Sequence, residues 1–198
     1  MTSILVVCTG NICRSPMAEG LLRAAVRRRL GDRAPEVSSA GPAGWEGSPA
    51  MPESIEAASE LGVDIEDHRG RKLTIEMARA ADLLLCMATE HRKAIASAAP
   101  ELAGRAFTLK ELVRLLEVLP APAGSGAEAF VPRIVEADAA RRAAAVPPSR
   151  DDDIADPLGQ PPEAYRAIAW ELGEWTERLI DGLYGPAADV DADAVAGG

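Results

Sequence analysis

The chain has 198 residues, 47% of them hydrophobic and only 4% aromatic, so one domain with a core of Leu, Val, Ile and Ala is within reach. A formal net charge of -10 argues against nucleic acid or an anionic membrane surface as the main partner. No run of 18 apolar residues and no signal-like apolar start is present, so neither spanning a membrane nor export is indicated, and a cytoplasmic location is expected.

Ile4 to Val7 reads as a short buried strand that runs into Cys8, and a short loop then closes on Arg14, Ser15 and Pro16 at a helix start. The residues between Cys8 and Arg14 can curl so that successive backbone N–H groups converge on one anion, with the helix N-terminus and the Arg14 guanidinium adding positive charge. The same field favours a thiolate at Cys8. Gly10 and Asn11 suit positive φ, Ser15 can donate to the sulfur, and Pro16 fits a helix's first turn. A Cys with an Arg six positions later is a weak signal alone, but this context makes it a phosphate cradle built from Thr9, Gly10, Asn11, Ile12, Cys13, Arg14 and Ser15, with a nucleophile at its base.

The helix after the loop turns Met17, Leu21, Leu22, Ala25 and Val26 inward and leaves Arg27 to Arg29 at its solvated end, where they suit the macrodipole. Val37 to Ala40 is a second strand. A helix from about Pro52 carries Ile55, Ala58 and Leu61 and stops at Gly62. Asp82 to Met87 is the third strand, followed by a helix near Thr89 to Ala99. Ala106 and Phe107 lead into a capping box, Thr108 to Glu111, that opens a helix through about Leu119. Residues 118 to 153, rich in Ala and Pro, read as an insertion beside the active site, a partly ordered excursion with one helix-compatible run from about Pro132 to Ala145. The last helix starts at Pro161 and Pro162 and buries Tyr165, Ile168, Leu172, Trp175, Leu179 and Leu183. From 186 on, an acidic tail without core-forming residues is expected to be disordered. Alternating strands and helices predict one α/β domain over 1–185, with a central four-stranded parallel sheet between helical layers and ligands at the strands' carboxyl ends.

These residues resemble the low-molecular-weight protein tyrosine phosphatase family, in its bacterial form, whose signature Cys-x5-Arg-Ser opens the chain. Ser39-Ala-Gly41, the stretch from His68 to Thr74, that from Asp82 to Met87, and Asp156-Pro157 follow in the family's order and at about its spacing. The resemblance implies hydrolysis of phosphotyrosine or aryl phosphate monoesters through a phosphocysteine on Cys8, with inorganic phosphate as product. A proton for the departing oxygen is required, and Asp156 fits that role, because its Asp-Pro step favours extended backbone and the nearby Gly159 permits a turn. Asp151 to Asp153 read as a solvated acidic run. The resemblance further implies that Asn11, Ser39 and His68 hold the phosphate loop in shape. Trp45, Ile12 and Leu158 are candidates for the wall beside the substrate, although eukaryotic-type members carry aromatic residues where this chain has Leu158 and Gly159.

Three other readings stay open. Bacterial protein arginine phosphatases resemble the chain around Asp-Pro-x-Gly, but carry Thr where this chain has Ile12. Arsenate reductases on the same fold relay oxidation through two further downstream cysteines, whereas here only Cys86 follows the loop, within a strand. A noncatalytic phosphate-binding module would not require Cys8, Arg14 and Asp156 together. Three cysteines make no structural disulfide framework; Cys8 and Cys13 flank a curled loop and could pair under oxidation. With only His68 and His91 and no Cys/His spacing of ligand type, neither a metal nor another cofactor is expected.

Overall fold

Successive side chains of a strand point to opposite faces, and this period of two divides the core of the computed structural model, which describes residues 2–186. Strands β1 (Ser3–Val7), β2 (Glu36–Ala40), β3 (Leu83–Cys86) and β4 (Ala106–Thr108) form one parallel sheet in the order β2-β1-β3-β4. Ile4, Val6, Leu83, Leu85 and Phe107 face the larger half of the core. Leu5, Val7, Leu84, Cys86 and Ala106 face the smaller one. A sheet buried on both faces needs apolar residues at consecutive positions, which is why the two central strands, β1 and β3, read as unbroken runs of Ile, Leu and Val.

Helix α1 (Arg14–Leu30) follows β1 and packs with α2 (Pro52–Glu60), α5 (Leu109–Glu117) and α7 (Pro162–Tyr184) over the larger half. Helices α3 (Ile75–Ala80) and α4 (Thr89–Ala98) cover the other face through Ala78 and Ile95. All the apolar residues assigned to the inner face of α1 are buried, and Arg29 binds the carbonyls of Tyr184 and Gly185 at the end of α7 rather than standing free in solvent. In α2 the inward positions are Ser54, Ala57 and Ala58, with Ile55 and Leu61 only partly covered, because small residues let this helix approach α1 and α7 closely. The capping box of α5 is formed: Glu111 N donates to Thr108 Oγ1 at 3.1 Å and Thr108 N to Glu111 Oε2 at 3.4 Å. Such a cap contributes about 1 kcal/mol.

The chain order places β2 and β3 on opposite sides of β1, so the sheet's winding reverses at the carboxyl end of β1. That crevice is where the loop after Val7 lies, and it is the position at which doubly wound sheets bind ligands.

Residues 118 to 153 are more ordered than expected. Their helix α6 (Phe130–Arg142) is a packed element, burying Phe130, Ile134, Ala137 and Ala140. Arg141 donates to the carbonyls of Ala106 and Ala103 and lies 4.1 Å over the Phe107 ring, so α6 covers the outer edge of β4. Arg133 ties the same helix to the carbonyls of Pro120 and Gly182, near the end of α7 and away from Cys8. The helix-compatible run was thus legible, but an edge strand in need of cover cannot be read locally. Of the tail expected to be disordered, residues 187–198 lie outside the described residues. Among the described residues no helix is long and apolar enough to cross a membrane.

Candidate active site

Four consecutive loop carbonyls are each taken by a donor outside the loop. Ala43 N donates to Thr9 O at 3.0 Å, Trp45 N to Gly10 O at 3.1 Å, and Met51 N to Ile12 O at 2.8 Å. His68 Nε2 donates to Asn11 O at 2.8 Å. Since a trans peptide points its N–H opposite to its C=O, turning these carbonyls outward turns the amides of Gly10, Asn11, Ile12 and Cys13 inward, toward a common centre. The curl of the loop expected from sequence is thereby held by bonds within the protein.

Asn11 is the pivot. Its φ of 54° lies in the left-handed region, which Asn tolerates better than most residues. Arg71 N donates to its Oδ1 at 2.8 Å, fixing the amide so that Nδ2 donates to both Ser15 Oγ and Ser39 Oγ, each at 2.8 Å. Ser39 Oγ in turn donates to Glu19 Oε2 at 2.5 Å. Ser15 Oγ, already accepting from Asn11, has its hydroxyl proton free for Cys8 Sγ at 2.9 Å. His68 must carry its proton on Nε2 to reach a carbonyl; burial lowers its pKa and keeps the ring neutral.

Space is as tightly set as polarity. A Cβ on Gly41 would stand 2.5 Å from the carbonyl oxygens of both Cys8 and Thr9, so no other residue can support the loop from below without moving its backbone.

Arg14 enters from the first turn of α1 with its side chain 5% exposed. Its Nη1 donates to Ile154 O at 3.1 Å and its Nη2 reaches Asp156 Oδ2 at 2.5 Å. Asp156 stands at the rim, its other oxygen accepting from Leu158 N at 3.1 Å across the turn that Pro157 initiates. The segment carrying Asp156 is docked firmly. Ile154 N bonds to Met87 O at 2.8 Å, and Asp152 makes a bidentate pair with Arg114 at 2.8 and 2.9 Å. Asp153 accepts from both the N and Oγ1 of Thr89 at the start of α4. The expected solvated run is therefore corrected for Asp152, which is buried, while Asp153 stays exposed and also caps a helix. Charges beside a functional loop anchor it here, a role that needs partners from α4 and α5 and leaves no local pattern.

Of the wall candidates, Trp45 is 54% and Leu158 47% exposed, the first bonded to Gly10 and the second to Asp156. Ile12 is buried, with its side chain folded toward Gly10: a Cβ there would stand 3.4 Å from Ile12 Cγ1 and 3.9 Å from Trp45 Cδ1. Cys13 is also buried, facing Ser54 and Tyr165; burial, then the charges of Asp156 and Cys8, push its thiol up to about 11. Cys86 lies in β3 with no exposed surface, its thiol pushed up to about 12 by burial, far from the behaviour of a relay cysteine. Among the described residues no group of three or more His, Cys, Asp or Glu side chains could hold a metal ion.

Sequence reasoning missed Glu19, Gly41, Arg71 and His91 as parts of this site. Gly41 and Arg71 sat inside the stretches that carried the family resemblance, but their contacts run to backbone atoms, which no side-chain pattern reports.

A cysteine set in a tightly curled loop at the end of a parallel strand, with an arginine and a carboxylic acid across from it, is an arrangement that can support thiol attack on a phosphoryl group. The profile of the family described as low molecular weight phosphotyrosine protein phosphatase matches residues 3–137, and the chain belongs to that family. It is 44% identical over 128 residues to the low molecular weight protein-tyrosine-phosphatase Etp of Escherichia coli strain K12, covering 65% of this chain and 82% of that protein. It is 34% identical over 180 residues to a protein-arginine-phosphatase of Geobacillus stearothermophilus, covering 91% of this chain and 95% of that one. The crystal structure of a low molecular weight protein tyrosine phosphatase from T. tengcongensis superposes with a TM-score of 0.68 at 36% identity, covering 92% of this chain and 100% of that one.

Proposed function

We propose that the chain hydrolyses phosphotyrosine, in proteins or small aryl phosphates, through a phosphocysteine on Cys8. The observation that carries this reading is the ring of outward carbonyls around Cys8 Sγ, closed by the Arg14–Asp156 pair. The inward amides and the Arg14 guanidinium hold the phosphoryl oxygens and neutralise the charge spreading over them in the transition state. Cys8 Sγ forms a bond to phosphorus as the bond to the ester oxygen breaks, and Asp156 hands its proton to that oxygen. In the second half, the Asp156 carboxylate takes a proton from water, the water oxygen bonds to phosphorus, and the sulfur leaves as thiolate. Inorganic phosphate is the product.

Hydrolysis of phosphoarginine is the second reading, favoured by the arginine-phosphatase relative that aligns over nearly the whole chain, the Asp156 segment included. Ile12 weighs for the aryl substrate: with Gly10 and Trp45 it makes that side of the cradle apolar and offers no hydrogen bond to a guanidinium group. Replacing Ile12 by Thr should lower kcat/KM for phosphotyrosine and raise it for phosphoarginine, each by about 1 to 3 kcal/mol in transition-state free energy. Measuring both substrates in both proteins tests the assignment; a wild-type preference for phosphoarginine overturns it.

Cys13 is proposed as a protective partner for Cys8 under oxidation. Mild peroxide should inactivate the wild type reversibly, whereas Cys13→Ser, lacking the disulfide, should progress toward sulfinic acid and recover less activity with thiol. With its thiol up at about 11, Cys13 should respond slowly near neutral pH and faster as the pH rises. Equal recovery in the two proteins excludes the role.

A further inference from the structure

His91 lies three residues into α4, 4% exposed, and belongs to none of the contacts that shape the loop carbonyls. Its Nε2 is 3.0 Å from Thr9 Oγ1, and the same oxygen accepts from Arg14 Nη2 at 3.4 Å. Arg14 Nη2 is also the nitrogen that bonds to Asp156, so the Thr9 hydroxyl stands at the junction of the nucleophile loop and the acid. Which way the His91–Thr9 bond runs decides what that hydroxyl can do.

Two observations place the proton on His91 Nε2. Glu90 Oε1 is 3.5 Å from Nε2, a carboxylate that favours an N–H there. The opposite nitrogen, Nδ1, is buried without a partner, and a buried lone pair left unpaired is tolerated more often than a buried N–H. Burial and the nearby Arg14 charge lower the His91 pKa and keep the ring neutral, so Nδ1 carries no second proton. Thr9 Oγ1 then accepts twice, from His91 and from Arg14, which uses both of its lone pairs. Its remaining capacity is its own O–H. Thr9 is exposed, so that proton is directed to whatever oxygen is held beside Arg14.

We propose that His91 is a positioning residue that makes the Thr9 hydroxyl a committed donor to the phosphoryl group, adding a side-chain hydrogen bond to those of the loop amides. The proposal rests on the phosphatase reading of the site and extends it to a residue pair on two separate elements. A donor that binds ground state and transition state alike tightens binding without changing the chemical step, so the effect belongs in KM and in phosphate inhibition.

Thr9→Val and His91→Leu should each raise KM for an aryl phosphate and the inhibition constant for inorganic phosphate by about 10-fold, with kcat within about twofold of wild type. Thr9→Ser and His91→Gln, which keep a hydroxyl and an N–H donor, should stay near wild type. The double variant Thr9→Val/His91→Leu should be no worse than Thr9→Val alone, because His91 acts only through Thr9. Nitrogen-15 NMR of the unmutated protein should find His91 neutral with its proton on Nε2, a measurement that needs no variant to fold. A proton on Nδ1, wild-type phosphate inhibition in His91→Leu, or losses that multiply in the double variant would each overturn the proposal. Calorimetry of inorganic phosphate with Cys8→Ser separates the two levels: no binding there defeats the phosphate-site reading itself, whereas binding there with an unaffected His91→Leu defeats only the role of His91.

Discussion

Cys8→Ser should reduce turnover of aryl phosphates by a factor on the order of 10⁵ to 10⁶ while inorganic phosphate or vanadate still binds. The size of the loss follows from the covalent step: a serine hydroxyl is a far weaker nucleophile than a thiol toward phosphorus and a poorer leaving group from the phosphoenzyme. Retained binding follows from the loop, whose inward amides are held by Ala43, Trp45, Met51 and His68 without help from the sulfur. Anion binding by calorimetry, set beside turnover of a chromogenic aryl phosphate, distinguishes a damaged cradle from a missing nucleophile. Substantial turnover in the serine variant would remove the phosphocysteine from the mechanism.

Asp156→Ala should lower kcat by about 10²- to 10⁴-fold, the range for a positioned general acid. Leaving groups of low pKa depart without a proton, so the defect should shrink across a series from unactivated to strongly activated phenols. Asp153 supplies the contrast. Because it is committed to Thr89 N and Oγ1, Asp153→Ala should weaken the start of α4, costing about 0.5 to 2 kcal/mol of stability, and any loss of rate should be the same for every leaving group. A large, leaving-group-dependent loss at Asp153 instead would move the acid three residues upstream.

The loop and its helix were legible because their logic is local. A strand of consecutive apolar residues, an Asn that tolerates positive φ, and an Arg in a helix's first turn all act within twelve residues of one another. The capping box of α5 was legible for the same reason. What could not be read depends on chain segments meeting. Asp152 looks like solvated charge until Arg114 arrives from α5, and His91 looks like an ordinary helix residue until α4 docks against the carboxyl end of β1. The short α3, six residues capped by Thr74, gives too few positions for a periodic signal. Residues 130 to 142 carry a helical pattern, but nothing in them states that their target is the open edge of β4.

The outward-facing carbonyls have a consequence for how the enzyme is throttled. On the proposed function, a cradle whose shape is maintained by its own protein partners would grip three oxygens on a tetrahedral centre with little regard for what the fourth is attached to. Released phosphate, and other oxyanions of the same geometry, should then compete with substrate. Discrimination would fall to Ile12 within the loop and to the exposed rim, where Trp45 and Leu158 stand outside the ring of amides, and throughput should fall as the product accumulates.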